Sequence, residues 1–232
     1  MQHNQNPTVA IIDYGLGNLF SIQKACEQVG LTAIITSNKE EIMRAAGLIL
    51  PGVGAFGDAM LALNRLDLTN PIQEFVQTDK PVLGICLGLQ LLFSESNEFG
   101  KHRGLDIIQG EVLRLPNDEH PQAPLKVPQV GWNRIYVSQN GQAGTDDTGC
   151  PDPWCDTLLD GIENGAFMYF VHSYYVKPLD NMQMLTHTVY GDTQFCSGAR
   201  KGNIYGFQFH PERSGPTGLQ VYENLCALIK ER

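Results

Sequence analysis

Over roughly its first hundred residues the chain alternates short β-branched runs with longer stretches of helical period, which restricts it to a parallel sheet covered by helices on both faces. TVAIID, over residues 8–13, reads as a buried strand. After a glycine turn, Leu19, Ile22, Ala25, Cys26 and Val29 share one helical face, and Gly30 supplies the stop. The unit recurs as the strand TAIIT, a helix over 39–46, the strand GLILPG and helices over 59–66 and 72–78. PVLGIC follows, a strand whose Pro81 holds the tolerated first position. Directly after it, LGLQLLFSES carries Leu87, Leu91 and Ser94 at helical spacing. Beyond Gly104 the pattern turns strand-like in GEVLRL, NRIYV, AFMYFV, MLTHTVY and NIYGFQF. A last helix over 217–230 turns Leu219, Tyr222, Leu225, Cys226 and Ile229 inward. The expected class is α/β: a three-layer, mostly parallel doubly wound sheet with extra β elements in the second half.

Length and charge narrow what such a fold can do. The 232 residues, 42% hydrophobic and 18% charged, suit one globular domain with a polar tail over 1–7 and a loop insertion over 138–153, where Gly, Pro, Asp and Asn crowd without apolar period. A net charge of −9 with no local basic cluster argues against nucleic acid and anionic membranes as partners. The start MQHNQNP lacks the basic and apolar parts of a signal peptide, and no apolar run could span a bilayer, so a cytoplasmic protein is expected. In that reducing compartment Cys26, Cys86, Cys150, Cys155, Cys196 and Cys226 are expected to be thiols. Cys150 and Cys155 lack the second close Cys or His pair of a tetrahedral zinc site, and no metal is expected.

The densest chemistry lies at Gly84-Ile85-Cys86-Leu87-Gly88, a glycine-x-nucleophile-x-glycine elbow in cysteine form, between a predicted strand and a predicted helix. The tight turn forces an unfavourable backbone on the nucleophile, so small glycines must flank it. The partial positive charge of a helix N-terminus favours the thiolate, and the N–H of Leu87 points toward the same spot as a donor for an oxyanion. Taken alone, Cys86 could equally be a small buried residue ending a strand. Phe207 to Phe209 read as an apolar-polar alternating strand that ends in His210, with Glu212 two residues on. At strand ends of one sheet, His210 could take the thiol proton and return it to a leaving amine, with Glu212 orienting the ring. His172 and His187 fit structural roles inside strands, while His3, His102 and His120 read as exposed. PGVG, after GLIL, is a glycine turn that can direct backbone N–H groups into a cleft.

PGVGAFGDAM, GICLGLQLLF and FQFHPE, in this order and at these separations, resemble the signature blocks of the class-I glutamine amidotransferases with a Cys-His-Glu triad. DYGLGN, VPQVGWN and YFVHSYY narrow the resemblance to the branch of glutaminase subunits of imidazole glycerol phosphate synthase, in histidine biosynthesis. It covers nearly the whole chain apart from the tail and the insertion. The resemblance implies that Cys86, His210 and Glu212 are catalytic and that Val53 and Leu87 form the oxyanion hole. It implies further that Gly54, Gln90 and Glu98 bind glutamine, with backbone groups around Ser173 and Tyr174 at its carboxylate end. An acidic Glu98 suits the substrate ammonium.

Nothing in the sequence could use the released ammonia. There is no P-loop, the Gly15-x-Gly17 pair lacks the third glycine of a dinucleotide fingerprint because Phe20 takes its place, and no cofactor is expected. The resemblance implies a heterodimer with a (β/α)₈-barrel cyclase subunit that receives ammonia through a channel, docked through Asn18, Trp132, Asn133 and Arg213. The family commonly has lysine where Arg213 stands, so the geometry of that contact differs in detail. Low glutaminase activity is implied until the partner binds its own substrate and the PGVG strand reorients. Three other readings stay open: a paralogous subunit feeding amidino-sugar synthesis for surface polysaccharides, a cysteine peptidase or hydrolase of related fold, and a non-catalytic subunit that kept the fold.

Overall fold

A computed structural model describes residues 7–116, 125–138 and 153–231. The chain runs β1 (Thr8–Ile12), α1 (Leu19–Gln28), β2 (Thr32–Thr36), α2 (Lys39–Arg44), β3 (Gly47–Leu50), α3 (Phe56–Arg65), α4 (Thr69–Val76), β4 (Val82–Ile85) and α5 (Leu87–Leu91). Strands then dominate: β5 (Phe93–Ser96), β6 (His102–Arg103), β7 (Ile108–Arg114), β8 (Gln129–Arg134), β9 (Tyr136–Val137), β10 (Phe167–His172) and β11 (Tyr174–Pro178). β12 (Met184–Tyr190), β13 (Thr193–Lys201), β14 (Ile204–Phe207) and the closing α6 (Gly215–Lys230) complete it.

Neighbours in the order β2-β1-β3-β4-β14 are all parallel. Beyond β14 the same sheet continues through β13, β11, β7, β5 and β6, with β12 paired to β13 and β9 paired to β12. β8 and β10 pair antiparallel in a separate two-stranded sheet. The core strands are continuous apolar runs because both of their faces are buried. Along β1, Val9 and Ile11 pack with Ile22 and Cys26 of α1 and with Tyr222 and Leu225 of α6. Ala10 and Ile12 face the opposite way, toward Phe56 and Leu63 of α3 and Phe75 of α4. This division of alternate residues between two cores produces the three expected layers.

Local pattern misplaced several elements. α3 and α4 begin at Phe56 and Thr69 rather than at 59 and 72. The residue before α3 is Ala55, which offers no side-chain cap; instead the distant Glu98 carboxylate accepts from the Phe56 N–H at 2.6 Å. The helical period through Ser94 is overridden: α5 ends at Leu91, and Phe93–Ser96 is a strand between β6 and β7. β11 and β13 were not foreseen. β13 carries Ser197 and Gly198, poor strand formers, yet both are buried because β12 and β14 close in from either side: a Cβ on Gly198 would lie 2.6 Å from Thr186 Oγ1.

Cys26, Cys86, Cys196 and Cys226 are free, but Cys155 is disulfide-bonded, which corrects the expectation of six thiols. Its partner lies outside the described residues, as do Cys150, His3, His120 and most of the tail and the 138–153 insertion. A compartment argument concerns redox poise and carries no information on which sulfurs the fold brings within reach. Cys155 lies within 4.8 Å of carboxylates on Asp156 and Asp160, but a sulfur committed to a disulfide is not a thiolate ligand. Just before it, Trp154 is fully buried and anchors the end of the insertion in the core beneath β12. Among the described residues no helix is long and apolar enough to cross a membrane.

Candidate active site

Cys86 sits between β4 and α5 with φ 55° and ψ −110°, a left-handed backbone that side chains seldom adopt. Its N–H donates to Phe207 O at 2.8 Å, and its carbonyl accepts from Gln90 N at 3.3 Å, so both ends of the strained residue are tied down. The flanking glycines are required by close approach. A Cβ on Gly88 would lie 1.8 Å from Leu50 O, and one on Gly84 would lie 2.9 Å from the carbonyl carbon of Gly88. The ends of β3 and β4 can thus meet α5 only without side chains at those positions.

β14 lies beside β4 in parallel register, Phe207 opposite Ile85, so the residues past both strands emerge at the same edge. His210 is fixed through its main chain: its N–H donates to Tyr169 O at 2.9 Å, and its carbonyl accepts from Ser214 Oγ at 2.7 Å. Nδ1 meets Glu212 Oε1 at 2.8 Å, and the two side chains are only 5% and 1% exposed. Burial, the largest influence on this ring, lowers its pKa, but the Cys86 side chain and the Glu212 carboxylate outweigh it and raise the value to about 10. Nε2, the nitrogen Glu212 does not use, makes no well-formed hydrogen bond, so the influence of Cys86 reflects proximity rather than a closed bond. Catalytic hydrogen bonds often tighten only when substrate is bound.

Beside Cys86 opens a cavity of about 260 Å³, small enough to suit an amino acid. Cys86, Leu87, Val53 and Gly54 line one part of it; Gln90, Glu98, Ser173 and Tyr174 line the rest, together with Val171 and His172. The structure therefore brings every predicted substrate and oxyanion residue to one cavity. Glu98 is buried, with one oxygen engaged by Phe56 N–H. His172 keeps the structural role expected of it: Nδ1 bonds Tyr174 O at 2.8 Å, Nε2 faces the Gln129 side-chain amide at 3.1 Å, and burial pushes its pKa down to about 4. His102 is half-buried rather than exposed, lying against Gly57. The PGVG turn is braced from the loop after β1, where the Tyr14 hydroxyl donates to Pro51 O at 2.6 Å.

The profile described as glutamine amidotransferase class-I matches residues 10–228. The chain belongs to this family. The amidotransferase is 44% identical over 215 residues to imidazole glycerol phosphate synthase subunit HisH of Aquifex aeolicus, covering 92% of this chain and 93% of that protein. It is 44% identical over 222 residues to the HisH subunit of Moorella thermoacetica, covering 96% and 95%. In fold it is similar to PurLQS from Thermotoga maritima, with TM-score 0.67 at 18% identity over 95% of this chain and 97% of that one. The amidotransferase is a glutamine-hydrolysing enzyme.

The residues expected at the docking face of the amidotransferase separate into two kinds. Trp132 is 54% exposed, with its ring edge on Tyr169 at 6.1 Å between centroids, and the guanidinium of Arg213 lies 4.6 Å over the same tyrosine. Asn133 is turned inward, donating to Val189 O at 2.9 Å and accepting from Arg134 N at 2.7 Å. Asn18 caps α1 without a side-chain bond, and α1 packs against the Pro211–Arg213 turn. Three residues went unrecognised from the sequence. Tyr169 carries the aromatic contacts, and Ser214 bridges Tyr169 N (3.0 Å) to His210 O. Gln208 is the polar member of the alternating strand, yet Phe207, Gln208 and Phe209 are all fully buried. The signal for Gln208 was its place two residues before His210, where a polar residue between two core aromatics needs a polar partner.

Proposed function

We propose that this chain is the glutaminase subunit of an imidazole glycerol phosphate synthase, with Cys86 as nucleophile, and that its ammonia passes to a separate (β/α)₈-barrel cyclase subunit. The observation carrying this reading is that Cys86, His210 and Glu212 emerge from adjoining strand ends beside a cavity lined by Gln90 and Glu98. Cys86 first gives its proton to His210 Nε2, whose surroundings favour the charged ring, and Sγ then bonds to the carboxamide carbon of glutamine. The N–H groups of Leu87 and Val53 receive the negative charge that gathers on the oxygen. His210 then protonates the nitrogen, the C–N bond breaks, ammonia leaves and a thioester remains. Water attacks it, His210 takes the water's proton and returns it to sulfur as the C–S bond breaks, and glutamate departs. Glu212 keeps the ring oriented and stabilises its charged form throughout.

Pro51 and Gly52 are buried, but Val53 is 42% exposed and the exposed Gly54 takes φ 109°, so the second half of the PGVG turn lies at the surface on a residue that tolerates more than one backbone conformation. This supports a glutaminase that stays slow until the partner has bound its own substrate. The exposed Trp132 with the Arg213–Tyr169 stack supports docking at the same edge as the triad. The test is to mix the chain with the cyclase and its nucleotide substrate and follow glutamate. Strong stimulation, abolished in Cys86→Ala, is expected; no response to the cyclase would transfer weight to a partner in amidino-sugar synthesis.

A further inference from the structure

We propose that Gln208 is a positioning residue that ties the nucleophilic sulfur to the amide of Gln90, so that one side chain sets both the nucleophile and a substrate contact. The inference rests on the glutaminase reading of the cavity. Gln208 is fully buried, and its own N–H is held by Ser197 O at 2.9 Å. Its side chain faces two ways. Nε2 donates to Cys86 Sγ at 3.6 Å, and Oε1 accepts from Gln90 Nε2 at 3.0 Å.

Two consequences follow from the donor and acceptor count of an amide. A donor aimed at sulfur stabilises the thiolate and fixes where it points. Gln90 Nε2 has only two hydrogens, and they go to Gln208 Oε1 and to Tyr174 O, the latter at 3.0 Å. The amide of Gln90 is therefore locked, leaving Oε1 as its remaining polar atom, an acceptor. Gln90 and Glu98 together bring two acceptors to the cavity, which suits the α-ammonium of free glutamine, a group with three donors and no acceptor. Removing Oε1 of Gln208 would leave the amide of Gln90 held by Tyr174 O alone, so its acceptor would be less firmly aimed at the cavity.

The experiment uses the full chain with the cyclase partner. In Gln208→Leu the sulfur loses its donor and Gln90 its lock, so kcat should fall and KM for glutamine should rise, each about tenfold. Alkylation of Cys86 by iodoacetamide should slow severalfold. Glutaramate, which is glutamine without its α-amino group, reads the Gln90 link: the native chain should discriminate against it more strongly than the leucine variant does. Gln208→Met covers the case in which leucine prevents folding: an unbranched side chain of similar length makes neither of the two bonds, so kcat and alkylation should again fall and KM should rise. Native kcat, KM and alkylation in a folded variant would overturn the proposal. A native chain releasing no glutamate would instead defeat the glutaminase reading, and the alkylation rates would still decide whether Gln208 governs the sulfur.

Discussion

The proposed proton exchange by His210 requires its ring to stay in one orientation, and Glu212 holds it at 2.8 Å from Nδ1 with almost no exposure to water. Glu212→Gln keeps the shape and removes the charge that favours the imidazolium. Partner-stimulated glutamate production should then fall by about 10²- to 10⁴-fold with little change in KM; a native rate would remove Glu212 from the mechanism. A pH effect on stability belongs to the same ring: burial opposes its charge, but Cys86 first and Glu212 second outweigh burial and hold it charged. The ring's pKa rises from 6.5 to about 10 on folding, so its charged form stabilises the fold fully below about pH 6.5, and that contribution is lost as pH rises through about 10. The difference in urea midpoint between the native chain and His210→Gln should therefore shrink across that window. A difference that grew with pH would contradict the assignment.

Among the elements, the elbow is the most constrained, because β3, β4 and α5 meet where two glycines leave no space. A Cβ added at Gly88 would fall 1.8 Å from the backbone oxygen of Leu50, a contact that only movement of β3 can relieve. Gly88→Ala should lose at least the ~1–3 kcal/mol typical of overpacking in urea denaturation. A soluble variant of native stability would show that the elbow is looser than the structure has it. Most of the parallel half was legible in the sequence: β1, β2, β3, β4 and the inward face of α6 lie where apolar period placed them. The start of α3 was not, because its cap is a carboxylate 42 residues away, and the strand β5 was not, because its pairing outweighs a local helical period.

At the scale of the whole molecule, the stack of Arg213 on Tyr169 beside the exposed Trp132 lies one backbone hydrogen bond from His210, since Tyr169 O receives the His210 N–H. If the proposed cyclase docks here, Trp132→Ala should weaken its binding by about tenfold or more, as truncation of a central aromatic anchor does, while thermal stability of the isolated chain stays near native. Unchanged affinity in a titration would place the docking face elsewhere. The layered α/β class and the glycine-flanked elbow could be read from the order of amino acids, whereas Gly54, Gln90, Glu98, Ser173 and Tyr174 were pointed to only by the resemblance of the surrounding motifs. Apolar period reports how many faces of an element are buried, and a tight turn needs its glycines in set positions. The disulfide at Cys155, the place of β13 and the two-sided amide of Gln208 emerge only in the folded chain. The last of these depends on polar and sulfur atoms that meet across 122 residues of chain, and no local pattern encodes such a meeting.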